Sequence, residues 1–281
     1  MRARIWGCRG SLAAPGADTV RYGGNTSCVE VRLEDGTLLV LDAGTGIRPF
    51  GLQLDLEPGR PIHVLLSHLH LDHLQGLGFF SPIWSRDYDL HIWGPPSPLS
   101  SLAERVARYL SPPLFPVHLA EIPSQPTFHD APKGEWEIGS ARLFSEPVSH
   151  QGPTVGYRIE ENGRGLAYLP DHEPALGTDL RATEPAWVSG YGVAAQADVL
   201  LHDAQYTEEE YRERVGWGHS SIAHAVTFGR LAGAGTLVMF HHDPLHTDER
   251  LEELLEEAKR LWNGAPDEVV LAYEGMEITL S

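Results

Sequence analysis

The segment Ser67-His68-Leu69-His70-Leu71-Asp72-His73-Leu74-Gln75-Gly76 places three imidazoles and a carboxylate within six residues. Side chains of that kind, so close together, are costly to bury unless a cation takes up their lone pairs. The apolar run Ile62 to Leu66 precedes them directly. In an extended stretch alternate side chains point the same way, so His68 and His70 can converge on one ion. A turn into a helix is expected next, with Asp72 and His73 projecting from its first turn toward a second point nearby. Imidazole together with carboxylate suits Zn2+ or Mn2+, and the absence of thiolates argues against a closed structural zinc site. The composition agrees, with 15 histidines against two cysteines and three methionines.

Rigid elements must hold such groups in place. Ser27 to Leu33 alternates as a strand does, while Thr37 to Asp42 and Ile62 to Leu66 are buried runs. A helix with a serine cap is expected over Ser100 to Leu110. Six prolines between Pro112 and Pro132 make residues 111–135 largely loop. Strands recur at 141–149, 155–161, 165–171 and 197–204, followed by a helix from near Ser220 and a short strand from Thr236 to Phe240. A helix then spans Thr247 to Trp262, with Glu249 near the positive end of its dipole. Residues 268–273 and 276–280 read as closing strands. No polar linker interrupts this order, so a single domain over residues 1–281 is expected, with sheets inside and helices outside. Histidines and aspartates fall just after strand ends, where loops present functional groups on a rigid scaffold.

The charge balance narrows the partners. Lys and Arg number 21 against 39 Asp and Glu, a formal net charge of −18. Sequence-independent binding of nucleic acid draws on phosphate neutralisation, so this balance argues against a long polyanion. Cys8 and Cys28 make no disulfide framework and suit a reducing compartment. The first ten residues lack an apolar signal core, and no apolar run reaches the ~18 residues of a membrane span. A soluble cytoplasmic protein is expected, with no membrane partner; a homodimer is left open.

The H-x-H-x-D-H segment after a strand resembles the signature of the metallo-β-lactamase superfamily. That resemblance implies an α/β (α+β) fold, the αββα sandwich of two mixed sheets flanked by helices, with a two-metal site at one edge. It further implies a lone His, an Asp and a final His at later strand ends, which His150, Asp171 and His241 match. His68, His70 and His150 would then hold one divalent ion and Asp72, His73 and His241 a second. Asp171 would bridge the pair, leaving room for a hydroxide between them. Asp72 would serve both as ligand and as catalytic residue. His172 and His242, beside two of these ligands, leave the choice of neighbour open; His242 is expected in a supporting or substrate-contacting role. Asp42 is expected as a supporting or turn residue.

Two further segments resemble elements of the tRNA 3′-processing endonucleases within that superfamily. Leu200-Leu201-His202-Asp203-Ala204 is similar to their H-E-A-T element, and Gly218-His219-Ser220-Ser221 to their H-S-T element. By that resemblance His219 would be a general acid or phosphate contact and Asp203 its orienting carboxylate. Gly10-Ser11 and Tyr22 to Ser27 resemble the same branch. The basic, glycine-rich arm with which those enzymes grip tRNA has no counterpart in composition here. The expected activity is therefore that of a dinuclear metal-dependent phosphodiesterase, with Zn2+ ahead of Mn2+, acting on a small or cyclic nucleotide-type phosphodiester. A tRNA 3′-processing-like endoribonuclease and a non-catalytic metal-containing carrier are the alternatives.

Overall fold

The computed structural model describes residues 1–57, 59–265 and 267–281. From the N-terminus the chain forms β1 (Arg2–Gly7), β2 (Cys28–Arg32), β3 (Leu38–Leu41), α1 (Ile47–Gln53), β4 (Pro61–Leu65), the one-turn helix α2 (Leu71–Leu74), β5 (Asp89–Gly94), α3 (Leu102–Ala107) and β6 (Thr127–Asp130). It continues through β7 (Gly134–Ile138), β8 (Ala141–Pro147), β9 (Val155–Glu161), β10 (Arg164–Leu169), α4 (Tyr191–Ala194), β11 (Val199–Asp203), α5 (Glu208–Arg212), α6 (Ile222–Ala232), β12 (Thr236–Phe240), α7 (Asp248–Trp262), β13 (Val269–Leu271) and β14 (Glu277–Thr279).

The strands make two seven-stranded sheets, ordered β14-β1-β2-β3-β4-β5-β6 and β13-β12-β11-β10-β9-β8-β7. Each is mixed: β3 to β6 run parallel, as do β10 to β13, and the remaining pairs are antiparallel. The apolar runs are continuous because these strands are covered on both faces. In β3, Leu39 and Leu41 pack between the sheets, while Leu38 and Val40 pack under the outer helices. In β12, Val238 and Phe240 face the inter-sheet core, and Leu237 and Met239 face α6 and α7. The αββα layering follows from these three apolar clusters.

Helix starts obey local chemistry. Ser101 caps α3 and exchanges hydrogen bonds with Glu104 in a capping box. Ser221 caps α6 and Thr247 caps α7, whose first turn carries Asp248 and Glu249. The proline-rich span is largely loop, as expected, with one short strand inside it. Thr127–Asp130 joins the sheet edge as β6, because Phe128 pairs with Ile92 and packs against the cluster under the outer helices. No described helix is long and apolar enough to cross a membrane.

Candidate metal centre

Parallel strands end on the same side of a sheet, and here those ends carry the chemistry. Asp171 follows β10, Asp203 closes β11 and His241 follows β12. The decapeptide follows β4 of the opposite sheet, so the two sheets face each other across one edge with their ligand-bearing loops opposed. The local chain path is the expected one: His70 is extended, and α2 begins at Leu71 with Asp72 and His73 in its only turn.

The loops bring three groups of ligand atoms together, two of them built on Asp171 and a third made of Asp203, His219 and His241. Of the first two, His68, His70, His150 and Asp171 form one; Asp72, His73, Asp171 and His241 form the other. Asp171 belongs to both. Its Oδ2 lies 3.7 Å from His68 Nε2 and 3.6 Å from His150 Nε2. Its Oδ1 lies 2.9 Å from His73 Nε2 and 3.3 Å from His241 Nε2. Asp72 Oδ2 stands 3.2 Å from each of those two imidazoles.

A divalent cation fits this arrangement. His68 Nε2 is buried with no hydrogen-bond partner among the described residues. Three buried carboxylates, Asp42, Asp72 and Asp171, surround His73, and among the described residues no lysine or arginine forms an ion pair with any of them. Burial opposes ionisation of Asp72 and Asp171, yet the adjacent imidazoles hold both carboxyls below the usual carboxylate range. Burial works against a proton on His73 too, but the charges of Asp171, Asp72 and Asp42 outweigh it and push its pKa up. Burial keeps His68 neutral and brings His150 down to about 4. His68 and His150 are thus in the neutral form that metal binding requires, while His73 must give up its proton to a cation.

The ring nitrogens that face away from the cluster are held by the protein, which fixes each ring and leaves the other nitrogen free. His73 Nδ1 is 2.7 Å from Asp42, which also accepts from Ser67 and from the Tyr168 hydroxyl. His68 Nδ1 meets the Ser67 hydroxyl at 3.0 Å. His150 Nδ1 donates to the Gly218 carbonyl at 2.7 Å, and His241 Nδ1 to Gln205 Oε1 at 3.0 Å. The fit leaves no room to spare. A Cβ on Gly10 would stand 2.3 Å from His241 Nδ1, and one on Gly218, at φ +91°, would stand 2.3 Å from His150 Nδ1. Asp42 and His241 themselves occupy left-handed backbone at φ 61° and 59°, strain of a kind that persists where the surroundings over-determine it.

His219 stands against this cluster. Its ring lies 4.9 Å from that of His241 and 5.0 Å from that of His150. Its Nδ1 is 2.7 Å from Asp203 Oδ2. Burial disfavours the imidazolium, but Asp203, with help from Asp171 and Asp72, overrides it and raises the pKa to about 9. Asp203 is in turn fixed by the backbone N–H groups of His172, Gln205 and Ser220.

The neighbours left open in the sequence separate cleanly. His172 lies under the sheet with Nδ1 2.9 Å from His202 and packs on Phe228. His242 turns away, donating to the Ala272 carbonyl at 2.9 Å with 1% of its surface exposed, so the expectation of a substrate contact is corrected. Backbone direction decides this: consecutive side chains leave on opposite sides. The Tyr22 to Ser27 segment makes structural contacts, with the Gly23 carbonyl accepting from Arg9 and Asn25 bonding Glu274. Ser11 does reach the cluster, its backbone N–H donating to Asp72 Oδ2 at 2.7 Å.

Sequence reasoning missed Gln205, the Gly218 carbonyl and Glu173. Glu173 is buried and accepts from Tyr211 and from the backbone of Gly216 and Gly218, so it shapes the loop that carries His219. Only the two-residue step from Asp203 to Gln205 could have drawn notice.

Comparison with known proteins agrees with this geometry. Residues 37–242 match the sequence model of the family described as Beta-lactamase superfamily domain. A ribonuclease Z from Porphyromonas gingivalis is 28% identical, with 98% of each chain covered. The crystal structure of the short form of human tRNase Z superposes with a TM-score of 0.66 at 22% identity, covering 100% of both chains. A diphosphatase of the PhnP family superposes with a TM-score of 0.69 at 18% identity, covering 100% of this chain and 98% of the other. Signature, ligand geometry and family match together make the chain a member of the metallo-β-lactamase superfamily, a metal-dependent hydrolase family.

Proposed function

We propose that the protein is a dinuclear metal-dependent phosphodiesterase that hydrolyses a small phosphodiester. The observation that carries this reading is the Asp203–His219 pair, a charged imidazole set beside the ligand cluster and held by its own carboxylate. A carrier needs no such group. Cleavage of a phosphodiester does, because the departing alkoxide must be met by a proton near neutral pH.

His68, His70, His150 and Asp171 would hold one ion, and Asp72, His73, His241 and Asp171 the other, with zinc or manganese suiting the donor set. Two divalent ions in those positions supply Lewis-acid polarisation of the phosphoryl group and a water nucleophile at neutral pH. The chain's own groups do the rest. His219 Nδ1 is committed to Asp203, so Nε2 of the imidazolium is the proton donor to the leaving oxygen. Asp203 fixes the ring and keeps it charged. The Gln205, Asp42, Ser67 and Gly218 contacts hold the ligand rings in the tautomers that leave their inner nitrogens free.

Small substrates, with cyclic and short nucleotides as first candidates, are favoured by the net charge of −18, which repels a long polyanion. The second reading is a tRNA 3′-processing endoribonuclease, favoured by the 28% identity to a ribonuclease Z along nearly the whole chain. A side-by-side assay of a cyclic nucleotide, bis-p-nitrophenyl phosphate and precursor tRNA decides between them. Turnover of the small esters supports the first reading. Specific cleavage of the precursor tRNA with little activity on small esters replaces it with the second.

A further inference from the structure

A cleft of about 500 Å3 opens at the metal centre, with His68 and His70 as one wall and His219 outside its lining. Leu69, Leu71, Leu99, Leu114 and Pro153 give it apolar walls, and Arg105, Arg108 and Tyr109 stand among them. Leu71, Leu99 and Leu114 are 60%, 92% and 70% exposed. Leucines grouped so openly at a polar centre forgo hydrophobic stabilisation that an apolar occupant would restore, which marks a binding surface.

Three polar side chains of the cleft, those of Tyr109, Arg105 and Gln151, donate within the protein. The Tyr109 hydroxyl donates to the Gln75 carbonyl at 2.6 Å and Arg105 to the Pro95 carbonyl at 2.6 Å. The Gln151 amide donates to the Gly216 carbonyl. A pocket that selects a nucleobase must offer placed donors and acceptors to its edges. Arg108 and Ser100 keep donors at the rim, but the leucines and Pro153 make most of the wall, so what the cleft chiefly selects is apolar surface. The cleft is of small-molecule size and continuous with His68 and His70, which points to substrate rather than to a second chain.

We propose that the substrate phosphodiester carries an apolar alkyl or aryl ester group, seated in this cleft, while the other ester oxygen departs beside His219. The proposal rests on the phosphodiesterase reading and names the substrate class that would satisfy it.

The test is a series of p-nitrophenyl phosphodiesters whose second group is methyl, butyl, hexyl or thymidine 5′-yl, assayed on the metal-loaded protein. In an open cleft each methylene should raise kcat/KM by roughly two- to threefold, so hexyl should exceed methyl by about 30-fold or more, and thymidine should not exceed butyl. The Leu99→Asn, Leu114→Asn double variant should cut the hexyl-to-methyl ratio by about fivefold or more. Calorimetry with methyl- and hexylphosphonate, which are not cleaved, should show the same preference in binding. If all esters are cleaved with no chain-length dependence, the cleft proposal falls and the phosphodiesterase reading stands. If no ester is cleaved but hexylphosphonate still binds more tightly, the phosphodiesterase reading falls and the apolar subsite stands. A dimer in solution that the double variant dissociates would assign the leucines to a second copy and overturn the proposal.

Discussion

Asp203→Asn is the substitution that most directly tests the acid. The carboxylate lies 2.7 Å from His219 Nδ1 and is the main force lifting that imidazole to about 9 against its burial. At pH 8 an imidazole with a pKa near 9 is about 90% protonated, whereas one without that carboxylate, at or below the ordinary 6.5, is at most about 3% protonated. Loss of the charge should therefore lower turnover at pH 8 by about 30-fold or more on a substrate that needs the proton. Near pH 5.5 both forms are charged, and the deficit should shrink to a few-fold. Bound cations will share the charge of Asp171 and Asp72 and draw the alkaline limb of the native enzyme below 9, but Asp203 stands outside the ligand groups built on Asp171 and keeps its effect. The assay is a pH–rate profile on two esters, one releasing an alkoxide and one releasing p-nitrophenolate, with metal content and thermal melting measured in parallel. The alkaline limb of the alkoxide profile should move to lower pH, while the p-nitrophenolate profile changes little because that leaving group departs without a proton. A uniform loss on both esters at every pH, with metal retained, would refute the proton-donor role and make His219 a positioning group.

Other consequences follow from the same contacts. Elemental analysis of the native protein should find about two transition ions per chain; Asp171→Ala should reduce that count for both, whereas His172→Ala, whose ring bonds His202 instead, should leave it unchanged. Gln205→Leu should weaken metal affinity by about 10- to 100-fold in a chelator competition, since it frees the His241 ring that its carbonyl now holds at 3.0 Å. Gly218→Ala should lower thermal stability and metal content together, because the new Cβ would collide with the His150 ring in a left-handed turn. Acid should destabilise the fold through His202 and His242, which burial holds down to about 4 and about 3. Both bind protons in the unfolded chain below about 6.5 but stay neutral when folded, so their contribution is full above that pH and is lost as pH falls toward 3. Urea melts of the chelated protein between pH 7 and pH 4 should show the decline, and His242→Gln should flatten it.

The H-x-H-x-D-H segment was legible because its chemistry is local. His68, His70, Asp72 and His73 lie within six residues, and the switch from strand to helical turn that aims them is written in the same stretch. The buried runs of β3, β4 and β12 were legible for a related reason, since a strand covered on both faces must be apolar throughout. The short strand β6 was not, because Pro126 and Pro132 on either side of it speak against any sheet and only the edge beyond β5 gives it a partner. His150, Asp171 and His241 could be named from resemblance alone, as nothing in their own surroundings distinguishes them from His172 or His242. Tertiary structure separates those neighbours: the parallel register of β10, β11 and β12 delivers Asp171, Asp203 and His241 to one edge and turns the adjacent histidines into the layer beneath. The same holds for Gln205, Glu173 and the Gly218 carbonyl, whose contacts span 36, 45 and 68 residues of chain. Ligand type and local spacing are properties of a segment. Which imidazole is held, by which partner and in which tautomer, depends on atoms that only the packed sheets bring within hydrogen-bonding reach.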